Sequence, residues 1–541
     1  MKRYLIIFGF VIVASSIFFW KYLFLFTVMV EERAAGWIYE PNDVLKIFEE
    51  NGEIKYSGPS IERKEIGAFS FIFYRRIYPF LKVQYKNHTL PLLFSPYVGP
   101  LYIYIPSAFI KIFGKNIFSL RLPCLITFAV FLFLYIKFAE KIGGLKGGIS
   151  SAFFLILLPV FSARFLSLGM WNNTCVFVLA IYLVNKIKDM IERPLKSKDI
   201  FFLSIISGLM LHFHLLAGGT LFLSIFLSLL ISAKIYKIPF QISSFWIGMS
   251  IFVFLLIILP FLPMLLHMKM LFYISGFGSR RNFFLAPLRA LQMYTIGILL
   301  PSSFINLLIH GIIKKSAFFS LPSGMLLVLA FYLIIIGRKQ GVFESFIFHT
   351  VIIFIFLSAF ASVGIHHINY FVIFLIPFLF SSLLKNVKSI SEIWIKRFIF
   401  VSLILNFIQS ILIREDIKNS SLSLSVHKEV VEYIEKNNIE KIYNLAGIYG
   451  FEFISKKKVE VLYFWDYLLN RPHPYHRIGS SLLLARGGVI MVEKFKRKSV
   501  LTTGIGIEEI YSVAKRIGLN VKILKQFPDE KNPVIILMKV E

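Results

Sequence analysis

Residues 120–139 read LRLPCLITFAVFLFLYIKFA. Only Arg121, near the start, and Lys137, near the end, interrupt twenty residues of apolar chain, which is the length a helix needs to cross the hydrocarbon core of a bilayer. A helix that is apolar all round belongs in lipid or in a deep core, not on a wet surface. Ten further runs read the same way: Tyr4–Val30, Gly147–Ala163, Met170–Val184, Ile200–Ala217, Thr220–Ala233, Phe245–Pro263, Phe318–Ile336, Phe343–Ser362, His366–Leu384 and Phe398–Ile413. The first follows Lys2 and Arg3, is too long for the apolar core of a signal peptide and has no small-residue cleavage site behind it. It reads as an uncleaved span.

The whole chain agrees with that reading. Its 541 residues are 57% hydrophobic and 16% charged, with 60 Phe and a mean hydropathy of +0.74. A water-soluble protein of this size must cover its surface with more polar side chains. The net charge of +29 would suggest nucleic acid on a soluble chain. Here Lys and Arg sit in short loops between apolar runs, and no basic aromatic module is present, so no nucleic-acid partner is expected. Cys124 and Cys175 lie inside apolar runs without metal-ligand spacing and read as packing thiols.

Placing the N-terminus in the cytoplasm puts every strongly basic loop inside: Lys137, Lys141 and Lys146; Lys186, Lys188, Arg193, Lys196 and Lys198; Lys234 and Lys237; Arg338 and Lys339; Lys385, Lys388, Lys396 and Arg397. That is the positive-inside pattern. The first outer loop, 31–119, opens with Glu31–Pro96, which carries nine acids and nine bases. Segment 264–316 contains the apolar Leu288–Ile313, interrupted by Pro301, Ser302, Ser303 and His310. Counting it as a span would turn the later basic loops outward, so it reads as a loop with an interfacial helix. The expected fold is a polytopic α-helical membrane domain of about eleven transmembrane helices, residues 1–413, followed by a soluble α/β domain, 414–541, on the extracytoplasmic side. In the latter, Lys441–Leu445, Val459–Phe464, Gly488–Val492, Val521–Lys525 and Val534–Val540 read as strands, and Lys428–Asn437 and Ile507–Ile517 as helices. Gly504-Ile505-Gly506 alone is too little for a nucleotide site.

Candidate chemistry gathers on the outer side. Glu31, Glu32, Glu40 and Asp43 follow the first span closely, and a carboxylate there can act as general base toward an acceptor hydroxyl or amine. The plainer alternative for each is a solvated loop residue. Leu101–Phe113 reads as a helix lying along the membrane surface. Arg121 stands at the mouth of the next span, where a cation needs a phosphate or carboxylate partner. Arg164, His212, His214, Arg280, Arg281, His366 and His367 fall on the same side and could join it around a lipid phosphate, or anchor helices at the headgroup layer. His212 and His214 are two apart, do not share a helix face and make a poor metal pair.

Taken together, Tyr97-Val98-Gly99-Pro100-Leu101-Tyr102, Phe113-Gly114, Arg121-Leu122-Pro123, Ser162-Ala163-Arg164 and the stretch from His367 to Pro377 resemble the GT-C superfamily of membrane glycosyltransferases, in its PMT-like and RgtA/B/C/D-like bacterial branch. The similarity of layout covers residues 1–413, and the C-terminal region with Arg471-Pro472-His473-Pro474-Tyr475 looks like the outer domain of some members. The resemblance implies a polyprenyl-phosphate sugar donor whose phosphate rests near outer-face basic groups, with Tyr97 and Tyr102 beside it. An acid in the first outer loop then deprotonates the acceptor, and the sugar transfers with inversion. Metal dependence stays open, with a divalent cation (Mg or Mn) as candidate cofactor and no metal ligands assigned. Two positions depart from the pattern. The family's Asp-Glu pair is replaced by Glu31-Glu32 and the separated Glu40 and Asp43, of which Asp43 sits best before Val44–Glu50. Asn172 and Asn173 stand where an Asp often follows the arginine. The competing readings are a non-catalytic relative that binds lipid-linked glycan, and a lipid-glycan transporter or flippase. The latter predicts inverted repeats, which the sequence lacks.

Overall fold

The computed structural model describes residues 2–22, 61–66, 69–74, 79–85, 88–93, 99, 101–158, 171–241, 243–261, 285–301, 315–338, 341–360, 369–385, 390–420, 423–446, 454–455, 460–463, 478–479, 482–483, 485–494 and 506–541. The helices, in chain order, are α1 (Lys2–Tyr22), α2 (Leu101–Phe113), α3 (Ile117–Leu157), α4 (Trp171–Ile191), α5 (Ser197–Phe213), α6 (Leu215–Ile235), α7 (Ser244–Ile258), α8 (Leu285–Leu299), α9 (Leu321–Gly337), α10 (Val342–Phe360), α11 (Asn369–Lys385) and α12 (Ile390–Lys418). Each of the eleven apolar runs falls on a helix among the described residues. Four segments are long and apolar enough to cross a membrane by length and composition: Ile117–Leu157, Leu215–Ile235, Lys315–Gly337 and Ile393–Lys418.

The α3 segment is two helices, not one. Gly144 has φ 71° and ψ 179°, a conformation open essentially to glycine alone. A methyl group at Gly148 would stand 2.9 Å from the Ile136 carbonyl oxygen and 3.2 Å from the Glu140 nitrogen. In a straight helix, residues 136 and 148 would be about 18 Å apart. The chain therefore folds back at Gly144, and arms 117–143 and 145–157 supply the two expected runs. Lys141 and Lys146 flank the turn.

Polar contacts tie the basic loops into one end of the bundle. Arg3 and Lys137 both pair with Glu140, and the Lys137 ammonium lies 4.1 Å from the Tyr4 ring centre. Lys141 pairs with Asp189 at 2.8 Å, and Lys188 donates to the Lys141 carbonyl and lies over Phe343. A short parallel bridge joins β5 (Leu195–Lys196) to β6 (Phe240–Gln241). The Tyr236 hydroxyl reaches the carbonyls of Arg338 and Gly341, and the Ser381 hydroxyl reaches that of Ile142. Residues 137–146, 186–198 and 234–241, with Arg338, Gly341 and the end of α11, are thus neighbours.

Phe261 ends α7 beside His212, at the end opposite the α5 start. Ser316 accepts from Gln409, and Asn406 donates to Ser323, at the end of α9 opposite Arg338. Phe261 and Lys315 bound a segment, 262–314, of which residues 285–301 are described. Within it, α8 packs against α9 and α10; a methyl at Gly324 would meet the Leu299 carbonyl at 2.1 Å.

Helix α12 has 29 residues, about 43 Å, and starts at the Ile142 end. It carries the chain beyond Gln409, and a C-terminal sheet follows in the sequence. That sheet contains β7 (Lys441–Asn444), β8 (Glu460–Tyr463), β9 (Val489–Glu493), β10 (Val521–Phe527) and β11 (Ile535–Val540), in the order β10-β11-β9-β7-β8. Strand β7 is parallel to β8 and β9; β11 is antiparallel to β9 and β10. Period-two alternation sorts its side chains. Ile442, Met491, Ile535 and Leu537 face α13 (Leu424–Lys436), while Tyr443, Ile490, Ile536 and Met538 face α14 (Ile507–Arg516). All five strand assignments from the sequence fall on strands, within one to two residues.

One element was not foreseen. Between α1 and α2, β1 (Ile61–Ile66), β2 (Phe69–Tyr74), β3 (Pro79–Tyr85) and β4 (His88–Leu93) form an antiparallel meander. Phe69, Phe71 and Phe73 at period two were the available signal.

Candidate functional site

The end of the bundle opposite Arg3 is organised around His212. This residue ends α5 and is 6% exposed. Its Nε2 accepts from the Leu101 N–H at 3.3 Å, so the ring proton sits on Nδ1, which donates to the Ile257 carbonyl at 3.2 Å. Its backbone carbonyl accepts from the Gly99 N–H at 2.7 Å. Edge-on contacts with Phe213 and Phe261 complete its surroundings. One ring thereby holds the start of α2 against the ends of α5 and α7. Gly99 is required by this closeness, since a methyl there would lie 2.5 Å from the His212 carbonyl oxygen and 2.7 Å from two ring atoms.

His214 separates α5 from α6. Its backbone is extended at φ −159° and ψ 98°, its Nδ1 accepts from the Ala217 N–H at 3.2 Å and its carbonyl accepts from the Gly218 N–H at 2.7 Å. The fifth expected span therefore stops at Phe213 and not at Ala217. A histidine cap at 214 takes the place of the gap at Gly218-Gly219 between the two expected runs, and Gly218 packs onto the Met210 carbonyl. Both histidines thus hold backbone at this end.

Tyr102, in the first turn of α2, is 4% exposed. Arg121 lies one turn into α3 and is 1% exposed, among the largest fully buried side chains of the described residues. Its place is set locally. Gly114 takes φ 83°, and Asn116 caps α3: its side chain accepts from the Ser119 N–H at 2.9 Å, while its own N–H reaches the Ser119 hydroxyl. This Asn-x-x-Ser cap was legible in the sequence and was not read there. Pro123 follows in the second turn and removes the hydrogen bond that would close onto Ser119. A guanidinium so deep needs acceptors about it, and Arg121 has interaction partners within the chain.

The remaining candidates, Glu31, Glu32, Glu40, Asp43, Tyr97, Arg164, Arg280, Arg281, His366 and His367, lie outside the described residues, as do Asn172 and Asn173 with respect to their side chains. Among the described residues no group of three or more His, Cys, Asp or Glu could hold a metal ion.

This end-to-end architecture has solved counterparts. ArnT from Cupriavidus metallidurans bound to undecaprenyl phosphate superposes with a TM-score of 0.52 at 10% identity, covering 98% of this chain and 97% of that one. The same protein in the apo state gives 0.53 over the same shares. The arabinofuranosyltransferase AftD from Mycobacteria matches at 0.47 and 10% identity; this chain spans 40% of its length. No family model matches the sequence, and no curated protein matches it. The ArnT comparison shows the fold: this chain shares the architecture of that protein over nearly its whole length.

Proposed function

We propose that this protein is an inverting glycosyltransferase of the cell (inner or plasma) membrane. It moves a sugar from a polyprenyl-phosphate donor to a lipid, glycan or protein acceptor at the outer face, with its N-terminus cytoplasmic and its C-terminal α/β domain extracytoplasmic. On this reading each of the eleven apolar runs crosses the bilayer once. The observation that carries the proposal is the near-complete structural match to ArnT, whose structure holds undecaprenyl phosphate.

In the proposed reaction, Asp43 takes the proton of the acceptor hydroxyl. The acceptor oxygen bonds to the anomeric carbon from the face opposite the phosphate, and the bond from that carbon to the phosphate oxygen breaks. The lipid phosphate leaves with the electron pair. Glu31, Glu32 and Glu40 are the alternates for the base. Arg121, with Arg164, Arg280 and Arg281, balances the charge growing on the leaving phosphate, the step at which fixed charge accelerates transfer most. Tyr97, Tyr102, His366 and His367 border the donor, and His212 and His214 hold the framework beneath it. The loop acids and Arg121 are placed here by resemblance and by depth respectively.

A second reading is favoured by the two departures from the family pattern: a non-catalytic relative that binds lipid-linked glycan without turning it over. Purified protein incubated with a polyprenyl-phosphate sugar and an envelope lipid extract separates them. Binding with sugar transfer supports the enzyme, and binding with no transfer under any acceptor supports the relative.

A further inference from the structure

We propose that the corner where the start of α5, the end of α6 and the start of α7 meet binds an anionic phospholipid. Its phosphate is held among Lys196, Lys198, Lys234 and Lys237, and its acyl chains lie along the outward side of α7. The two lysine pairs are distant in sequence, and backbone contacts bring them together. Lys196 lies in β5, whose register with β6 sets Leu195 against Phe240 and Lys196 against Gln241. The Leu195 N–H donates to the Pro239 carbonyl at 3.1 Å, and the Ser243 N–H donates to the Ser197 hydroxyl at 3.0 Å. Lys234 and Lys237 stand on the turn that leads into β6, which the Ile238 N–H closes by donating to the Ala233 carbonyl at 2.9 Å.

Three observations select an anionic lipid. The charge of the corner is uncompensated. Residues 193–249 hold five bases and one acid. That acid, Asp199, is buried and accepts from both terminal nitrogens of Arg193. The four lysines are exposed, and none forms an ion pair among the described residues. At the same end of the bundle, by contrast, Lys137 and Lys141 are paired with Glu140 and Asp189. Lys237 also has a left-handed backbone, φ 52°, just past a helix end, where glycine is favoured. The other non-glycine with positive φ among the described residues is Asn438, a residue type that tolerates it. A lysine held against its backbone preference points to a use for its ammonium. Finally, the charge borders an apolar surface. Phe245 is 69% exposed in the first turn of α7, and Trp246 packs edge-on against Phe201 at 5.5 Å while staying 38% exposed. Aromatic rings at the headgroup level with lysines beside them are an interfacial arrangement, and clustered lysines next to a membrane helix suit anionic headgroups. An acidic protein segment would match the lysines but not the apolar surface next to them. The leaflet is the cytoplasmic one in the orientation proposed above; the binding rests on neither that orientation nor the transferase reading.

The test titrates phosphatidylglycerol, and separately phosphatidylcholine, into the full chain purified in a neutral detergent, following the rise of the thermal midpoint with lipid concentration. The wild type is expected to prefer phosphatidylglycerol. The variant with Lys196, Lys198, Lys234 and Lys237 all changed to Gln should lose at least about 10-fold in affinity for it, with the response to phosphatidylcholine unchanged. Lys237→Gly separates the ligand from the fold. Glycine suits the left-handed turn, so the midpoint without lipid should hold or rise while affinity for phosphatidylglycerol falls about 5-fold, the worth of one lysine at an anionic surface. This variant decides the outcome should the fourfold one fail to fold. A wild type without preference for phosphatidylglycerol, which would leave the corner to an acidic protein partner, overturns the proposal, as does undiminished affinity in the variants that fold.

Discussion

Gly99→Ala puts the hub at His212 to a quantitative test. The added methyl would stand 2.5 Å from the His212 carbonyl oxygen, a backbone atom that no rotamer change can move aside. Overpacking of this kind costs about 1–3 kcal/mol. Displacing Gly99 also stretches its 2.7 Å hydrogen bond to that oxygen, worth about 1 kcal/mol net. The combined loss is about 2–4 kcal/mol, which is on the order of 30-fold to 1,000-fold in the population of the closed turn. His212→Phe retains the ring shape against Phe261 but strands the Leu101 N–H and the Ile257 carbonyl, with a similar cost of about 2–4 kcal/mol. Because the methyl meets both ring and carbonyl, the two substitutions should be less than additive by about 1 kcal/mol. Thermal unfolding in detergent, followed by intrinsic fluorescence, should show a clear drop in midpoint for each single variant and a smaller further drop for the double. A Gly99→Ala protein that melts with the wild type and binds polyprenyl phosphate equally well would refute the packing of α2 on α5.

Three further outcomes follow from the geometry. Gly144→Ala forces a side chain into the glycine-only turn of the α3 hairpin and should cost about 1–3 kcal/mol, read as a lower melting midpoint; an unchanged midpoint would mean the turn is not tight. Burial pushes the Asp199 carboxyl up, but the two Arg193 hydrogen bonds at 2.7 and 2.8 Å and the Lys196 N–H outweigh it, leaving the pKa below its ordinary value. The stability it contributes is therefore present above the unfolded carboxylate range and is lost as pH falls through the folded value. Asp199→Asn should lower the melting midpoint at pH 7 and converge with the wild type in acid. Burial, with Glu432 and Asp529, raises the Glu429 carboxyl, so its charge opposes folding above that pKa and relents as pH falls. Glu429→Gln should stabilise the C-terminal sheet slightly at pH 7, by less than about 1 kcal/mol for so exposed a group, with the gain vanishing in acid.

Membrane segments and strands were legible because burial leaves a periodic trace. Runs such as 120–139 fit only lipid or a deep core, and the alternation of Ile535 to Val540 allows only a sheet covered on both faces. The hairpin at Gly144 could be placed from its flanking lysines. The site was less legible, because its parts are held by contacts between distant segments. Nothing near residue 212 says that its ring bonds to Leu101, 111 positions away, and a histidine near an outer helix end looks equally suited to a phosphate. The break at His214 was hidden because its cap is an imidazole and the glycines lie one turn later. The meander of the first loop was missed because the acids before it drew the reading toward chemistry, although Phe69, Phe71 and Phe73 alternate plainly.

The transfer proposal is tested most directly by titrating purified protein with a polyprenyl-phosphate sugar, following binding and sugar release together, for wild type and Asp43→Asn. Binding by both proteins, with release by the wild type alone, is the predicted result. Release that persists in Asp43→Asn and in the variant with Glu31, Glu32, Glu40 and Asp43 all changed to amides would contradict the proposed base, and no binding by the wild type would contradict the function itself.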